Sequence, residues 1–151
     1  MKAIILTTLS IAIMTTACRQ AADKTHTRIV YDAGARRVIT HAVNKKLETM
    51  SILYGNASAY NTALAGNGLH QANELYTFVT WRYHENPLWY GSKVNGELLS
   101  VEHLRIISPD DAPAQMDYQV ESGEVLPVNG RLLSREERIR YLLEYHPSIM
   151  P

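Results

Sequence analysis

The chain has 151 residues, with 15 Lys and Arg balanced by 15 Asp and Glu, and one cysteine, Cys18. The neutral balance, with no basic stripe to track phosphates, argues against nucleic-acid binding. A lone thiol excludes an internal disulfide framework.

The N-terminus reads as an export signal. Met1 and Lys2 form a short basic region, Ala3 to Met14 carries no charge, and Thr15, Thr16 and Ala17 are small residues before Cys18. The apolar run is shorter than the roughly 20 residues a membrane-spanning helix needs, and no later stretch approaches that length. Ala17-Cys18 resembles the lipobox of bacterial lipoproteins, with Thr15 departing from the usual leucine. The resemblance implies cleavage after residue 17 and lipidation of Cys18. The alternative is an ordinary secretory peptide that leaves Cys18 as a free thiol at the mature terminus.

Removing residues 1–17 leaves 134, with 14 basic residues against 15 acidic, enough for one domain. Residues 18–27 are polar, lack hydrophobic periodicity and suit a tether, and the globular domain is expected over 28–151. Arg19 is not the aspartate associated with inner-membrane retention, so the expected location is the outer membrane facing the periplasm in a Gram-negative host.

Residues 36–47 are ambiguous between helix and strand. Val38, Ile39, Ala42 and Val43 fall at helical spacing, which predicts a helix, although the β-branched run Val38 to Thr40 disfavours one. Thr49 to Tyr54 reads as a strand, and Ala57 to Ala65 as a short helix terminated by Gly66, Asn67 and Gly68. Leu75 to Tyr83 is the clearest strand, with Thr77, Val79 and Trp81 on one face and Tyr76, Phe78 and Thr80 on the other.

Leu88 to Val94 is expected to run back from that strand. Asn95-Gly96 is the strongest hairpin signal in the sequence and predicts a third strand over Glu97 to Ile107. This three-strand meander, at about 74–107, would bring Trp81 near Trp89 and His84 near His103. Residues 109–113 read as a loop, and Tyr118 to Val128 as a weaker strand or hairpin interrupted by Ser122-Gly123 and Pro127. Ser134 and Glu137 form a capping-box signature for a C-terminal helix with Ile139, Leu142 and Leu143 on one stripe, Arg135, Arg138 and Arg140 outward, and Pro147 ending it. The order of elements predicts an α+β fold, a mainly antiparallel sheet with flanking helices.

No catalytic or metal motif stands out. The histidines are scattered, and His84 and His103 are the nearest approach to a pair of metal ligands. Glu102 and His103 are adjacent on a strand and point to opposite faces. No nucleophile elbow or phosphate-binding glycine loop is present. Aromatic residues instead concentrate between Trp81 and Tyr90. Such residues either pack a sheet or line a pocket for a small apolar or aromatic ligand, and the candidate lining is Tyr54, Asn56, Trp81, Tyr83 and Trp89.

The block Thr49 to Asn56, the helix after it, and Glu74 to Trp81 is similar in element order to the cytochrome P-460 family. These are exported proteins whose c-type haem oxidises hydroxylamine and related small nitrogen compounds. The resemblance covers a minority of the mature chain. It implies an antiparallel sheet with flanking helices, a CxxCH motif toward the C-terminus, and a haem-crosslinking lysine on the strand resembling Leu75 to Tyr83. Here Ile139 to Pro151 offers His146 and no cysteine, and that strand contains no lysine. The resemblance therefore implies a haem-free member, with no cofactor expected.

Two readings follow. In the first, the chain is a lipid-anchored binding module with an unassigned ligand. In the second, it is a small redox or hydrolytic enzyme with a non-covalent haem or metal held by His84, His103 or His146. The first is preferred, because no acid, base or metal group falls at catalytic spacing.

Overall fold

A five-stranded antiparallel sheet in the order β1-β2-β3-β4-β5 carries the molecule. The structure is a computed structural model that describes residues 30–107 and 114–147. The expected leader, the tether and the loop at 109–113 lie outside these residues. The strands are β1 (Arg37–Asn44), β2 (Thr49–Gly55), β3 (Leu75–Glu85), β4 (Lys93–Ile107) and β5 (Gln115–Gly123), with helix α1 (Ala57–Ala65) between β2 and β3 and α2 (Arg135–Leu143) after β5. The fold is α+β and mainly antiparallel sheet.

β1 corrects the helix expected over 36–47. Val38 pairs with Tyr54 and Thr40 with Leu53, leaving Ile39 as an extra residue in a bulge. The bulge lets consecutive residues Ile39 and Thr40 both be buried, which blurs the period-two pattern of a strand. At the following turn, Asn44 Oδ1 accepts from the amides of Lys46 and Leu47 at 3.0 and 3.2 Å, fixing the hairpin to β2.

Asn56 caps α1. Its Oδ1 accepts from the Ala59 amide at 2.9 Å, and its Nδ2 donates to the Asn73 carbonyl at 2.8 Å, so one side chain ties the helix start to the approach to β3. Gly66 closes the helix, its amide donating to Thr62 O at 3.1 Å. At the other helix, Ser134 and Glu137 form a reciprocal capping box.

The expected three-strand meander is also corrected. Residues 93–107 form one uninterrupted strand, and the reversal lies in the turn between β3 and β4, where Asn86 N donates to Ser92 O at 2.9 Å. A type I′ hairpin at Asn95-Gly96 requires positive φ at both positions, yet the positive φ falls at Gly91, at 76°. Gly96 has a different task. A Cβ there would lie 2.3 Å from the His84 ring across the strand pair, so the missing side chain admits the imidazole.

The sheet separates two apolar clusters. On the helix side, Leu53, Tyr76, Phe78, Leu104 and Ile106 pack against Ala59, Ile139 and Leu142. On the opposite side, Val79, Trp81 and Val101 form a smaller cluster flanked by Tyr31, Met50, Ile52, Tyr54 and Leu98. Each fully buried Leu or Phe contributes about 1.5–3 kcal/mol. The helix side therefore supplies most of the packing.

Candidate functional site

A hollow of about 540 Å³ lies on the helix side, between the sheet, the β1–β2 turn and residues 126–130. Ser51, Phe78 and Thr80 from β2 and β3 line it, together with Arg138, Tyr141 and Tyr145 from α2 and the residues just after it. Lys45 and Lys46 contribute from the β1–β2 turn. The volume falls within the range of small-molecule sites, about 300–1,000 Å³.

The deep end of this cleft is held by ionic and aromatic contacts. Arg138 Nε donates to Glu102 Oε2 at 2.8 Å and its Nη2 donates to Oε1 at 2.7 Å, while the Tyr118 hydroxyl donates to Glu102 Oε2 at 2.6 Å. The expectation that Arg138 faces outward is therefore corrected: the residue is 4% exposed. Its guanidinium lies 5.4 Å from the Phe78 ring centroid and 5.1 Å from that of Tyr141. Burial opposes the guanidinium charge, but the Glu102 hydrogen bonds and negative charge hold its pKa above the usual arginine value.

Phe78 stacks on Tyr145 at 5.8 Å, and the Tyr141 and Tyr145 hydroxyls are hydrogen-bonded to each other. Burial, followed by the Tyr141 contact, raises the Tyr145 phenol well above its usual value, keeping it neutral. Beneath them Ser51 Oγ and Thr80 Oγ1 share a buried hydrogen bond of 2.9 Å. The cleft thus combines an aromatic surface, neutral hydroxyls and cations.

A second hollow of about 300 Å³ opens on the other sheet face, where Tyr54 and Trp81 meet Tyr31, Met50, Ile52 and Val94. Two of the five predicted lining residues are thereby brought together. Tyr31 and Tyr54 rings lie 6.0 Å apart, and burial, then the neighbouring Tyr31, raises the Tyr54 phenol. The Trp81 indole N–H is buried without a hydrogen-bond partner among the described residues. Such an orphaned donor costs about 1–3 kcal/mol.

The other three candidates fall elsewhere. Asn56 is committed to the α1 cap and to Asn73. Tyr83 is buried beneath the Lys93 ammonium, which lies 5.1 Å from its ring centroid, and does not line the hollow. Trp89 is 71% exposed in the turn after β3, and the residue paired with Trp81 on β4 is Leu98. The expected approach of Trp81 to Trp89 fails because residues 88–92 turn instead of running back as a strand.

The His84 and His103 pair is separated for the same reason. His84 pairs with Val94 and His103 with Thr77, so seven positions of β3, about 23 Å, divide them. His146 lies near Gly66 at the end of α1. Among the described residues, no group of three or more His, Cys, Asp or Glu side chains is arranged to hold a metal ion.

His103 does form a hydroxyl–imidazole–carboxylate chain. Its Nδ1 lies 3.1 Å from Thr77 Oγ1 and its Nε2 lies 2.6 Å from Glu121 Oε2. Nucleophilic triads use these three group types. Here Thr77 is 1% exposed and sits mid-strand on β3, with β2 and β4 paired on its two sides. Amides committed to the ladder do not form an oxyanion hole. The contact fixes β5 to the sheet.

Sequence reasoning missed two buried carboxylates. Glu102 meets Arg138, and Glu74 accepts from Thr62 Oγ1 at 2.5 Å, the Gln71 amide at 2.8 Å and the Tyr76 hydroxyl at 2.9 Å, with His70 Nδ1 at 2.9 Å. The partners of both are assembled by tertiary folding. For Glu74, the closeness of Thr62, His70 and Tyr76 in the chain was the one available signal.

No protein-family model matches the chain, and no curated protein matches it.

Proposed function

We propose that this protein is an extracytoplasmic, lipid-anchored binding module whose helix-side cleft takes a small, largely apolar or aromatic ligand. The cleft of about 540 Å³, with Phe78 and the Tyr141–Tyr145 pair beside buried hydroxyls, is the observation that carries this reading. Aromatic walls supply contact area, and a few neutral hydroxyls orient a polar substituent. The Tyr54–Trp81 hollow, at about 300 Å³, is the competing seat against which the cleft is tested.

The proposal includes kinship with the cytochrome P-460 family as a haem-free member, supported by the strand–helix–strand order of β2, α1 and β3. The residues do not fit covalent haem. Cys18 is the only cysteine, no CxxCH motif occurs, and β3 carries no lysine. Attachment to the membrane rests on Cys18 and the leader. No helix among the described residues is long and apolar enough to cross a membrane.

Binding of N-phenyl-1-naphthylamine, a neutral aromatic probe that brightens in apolar surroundings, tests the module reading. Ala42 lines the cleft and Ile52 lines the opposite hollow. The expected result is saturable binding to the wild type that is lost in Ala42→Phe and kept in Ile52→Phe. Absence of binding to the wild type would overturn the reading, and loss in Ile52→Phe alone would move the ligand to the Tyr54–Trp81 hollow.

A further inference from the structure

We propose that the helix-side cleft selects ligands bearing an anionic group, held at the mouth by Lys45 and Lys46, with the apolar body lying on Phe78. This inference rests on the module reading and adds the chemical class of the ligand. Among the described residues, every charged side chain that lines the cleft is a cation, namely Lys45, Lys46 and Arg138, and no carboxylate faces into it.

The three cations are not equivalent. Arg138 is buried and its charge is answered at two points by Glu102, so the deep end presents little net charge. Lys45 and Lys46 stand exposed on the β1–β2 turn, and neither side chain is ion-paired among the described residues. The field of the cleft is therefore positive at its entrance and close to neutral at its aromatic floor.

That gradient matches an amphipathic anion entering apolar end first. A carboxylate or sulfonate at the mouth keeps part of its hydration and escapes the full desolvation penalty of a buried ion. Its ring or chain displaces water from Phe78 and the tyrosines. The opposite orientation would place an anion against a guanidinium already neutralised by Glu102, with no compensating free cation. Each lysine contact at the rim is partly exposed, so the selectivity expected from two of them is modest, about three- to tenfold, and sensitive to salt.

The test compares 1-anilinonaphthalene-8-sulfonate with N-phenyl-1-naphthylamine, which share one ring system and differ by the sulfonate. The wild type is expected to bind the sulfonate about three- to tenfold more tightly at low salt, with the advantage shrinking as salt is raised. Lys45→Gln/Lys46→Gln is expected to abolish the advantage while leaving the thermal unfolding midpoint unchanged. Equal affinities in the wild type, or an advantage that survives the double substitution, would overturn anion selection and leave the module reading standing. Failure of both probes to bind would overturn the two together.

Discussion

Glu102 on β4 and Arg138 on α2 meet as a bidentate ion pair at 2.8 and 2.7 Å, although 36 residues separate them in the chain. The contact joins the sheet to the helix that walls the cleft. Both side chains are withdrawn from water, the carboxylate completely and the guanidinium to 4% exposure. Breaking a pair of this kind leaves an uncompensated charge inside the protein, whereas removing both partners does not.

Arg138→Leu is accordingly expected to lower unfolding free energy by about 3–5 kcal/mol. Glu102→Leu/Arg138→Leu should recover much of that loss, short of full recovery because the Tyr118 hydroxyl also loses its acceptor. Urea unfolding of the single and double variants measures the difference. A double variant less stable than Arg138→Leu would show that the pair contributes in some other way.

Glu74 is expected to contribute to acid sensitivity. Burial pushes its carboxyl upward, but hydrogen bonds from Thr62, the Gln71 amide, His70 and Tyr76 together bring it below the ordinary value. A carboxylate depressed on folding contributes stability that is fully present above its unfolded pKa, about 4.3, and is lost as pH falls through the folded value. Glu74→Gln should therefore be less stable at neutral pH yet lose less further stability on acidification from about pH 6 to pH 3. Chemical denaturation across that range reads both effects, and identical acid slopes for variant and wild type would remove Glu74 from the explanation.

Two glycines of the sheet separate kinds of steric constraint. At Gly123, with φ of 72°, an added Cβ would meet the Leu99 carbonyl oxygen at 1.7 Å, a clash with backbone. At Gly96 the obstacle is the far end of the His84 side chain, which has rotamer freedom. Gly123→Ala is expected to be the more damaging substitution, by about 1–3 kcal/mol from the backbone conformation alone. Gly96→Ala should cost less in a His84→Ala background than in the wild type. Thermal unfolding of the four proteins in that cycle gives the coupling, and additive effects would exclude the steric account of Gly96.

Cys18→Ser removes the only thiol in the chain. Two or more lipid chains on one residue give stable anchoring where a single chain is marginal. The substituted protein is expected in the soluble fraction of the host cell, and metabolic labelling with a fatty acid should be lost with it. Continued sedimentation with membranes would point to attachment through another part of the molecule.

Much of the sheet was readable from local pattern. In β3 the alternation of Thr77, Val79 and Trp81 with Tyr76, Phe78 and Thr80 assigns both faces, because both are buried and the strand is central. Gly66 and the Ser134–Glu137 spacing mark helix ends through hydrogen bonds that close within four residues. Where the deciding contact is distant, local pattern misleads. The Ile39 bulge mimics helical spacing, and Asn95-Gly96 lies within β4, with Gly96 against the His84 ring, instead of at a hairpin turn. Arg138 looks like a solvent-facing helix residue until β4 supplies Glu102.

The site was legible in part for the same reason. Tyr54 and Trp81 converge because β2 and β3 are neighbours and both side chains point to one face. Trp89 and Asn56 belong to a turn and a cap. The helix-side cleft needed residues from β1, β2, β3, α2 and the 126–130 segment at once, and no single stretch of sequence signals that assembly.

Intermolecular nuclear Overhauser effects from bound N-phenyl-1-naphthylamine locate the ligand seat directly. Binding in the helix-side cleft predicts cross-peaks from the probe rings to Phe78, Tyr141 and the Ala42 methyl. Cross-peaks confined to Met50, Ile52 and Tyr54 would contradict it and place the ligand on the opposite face of the sheet.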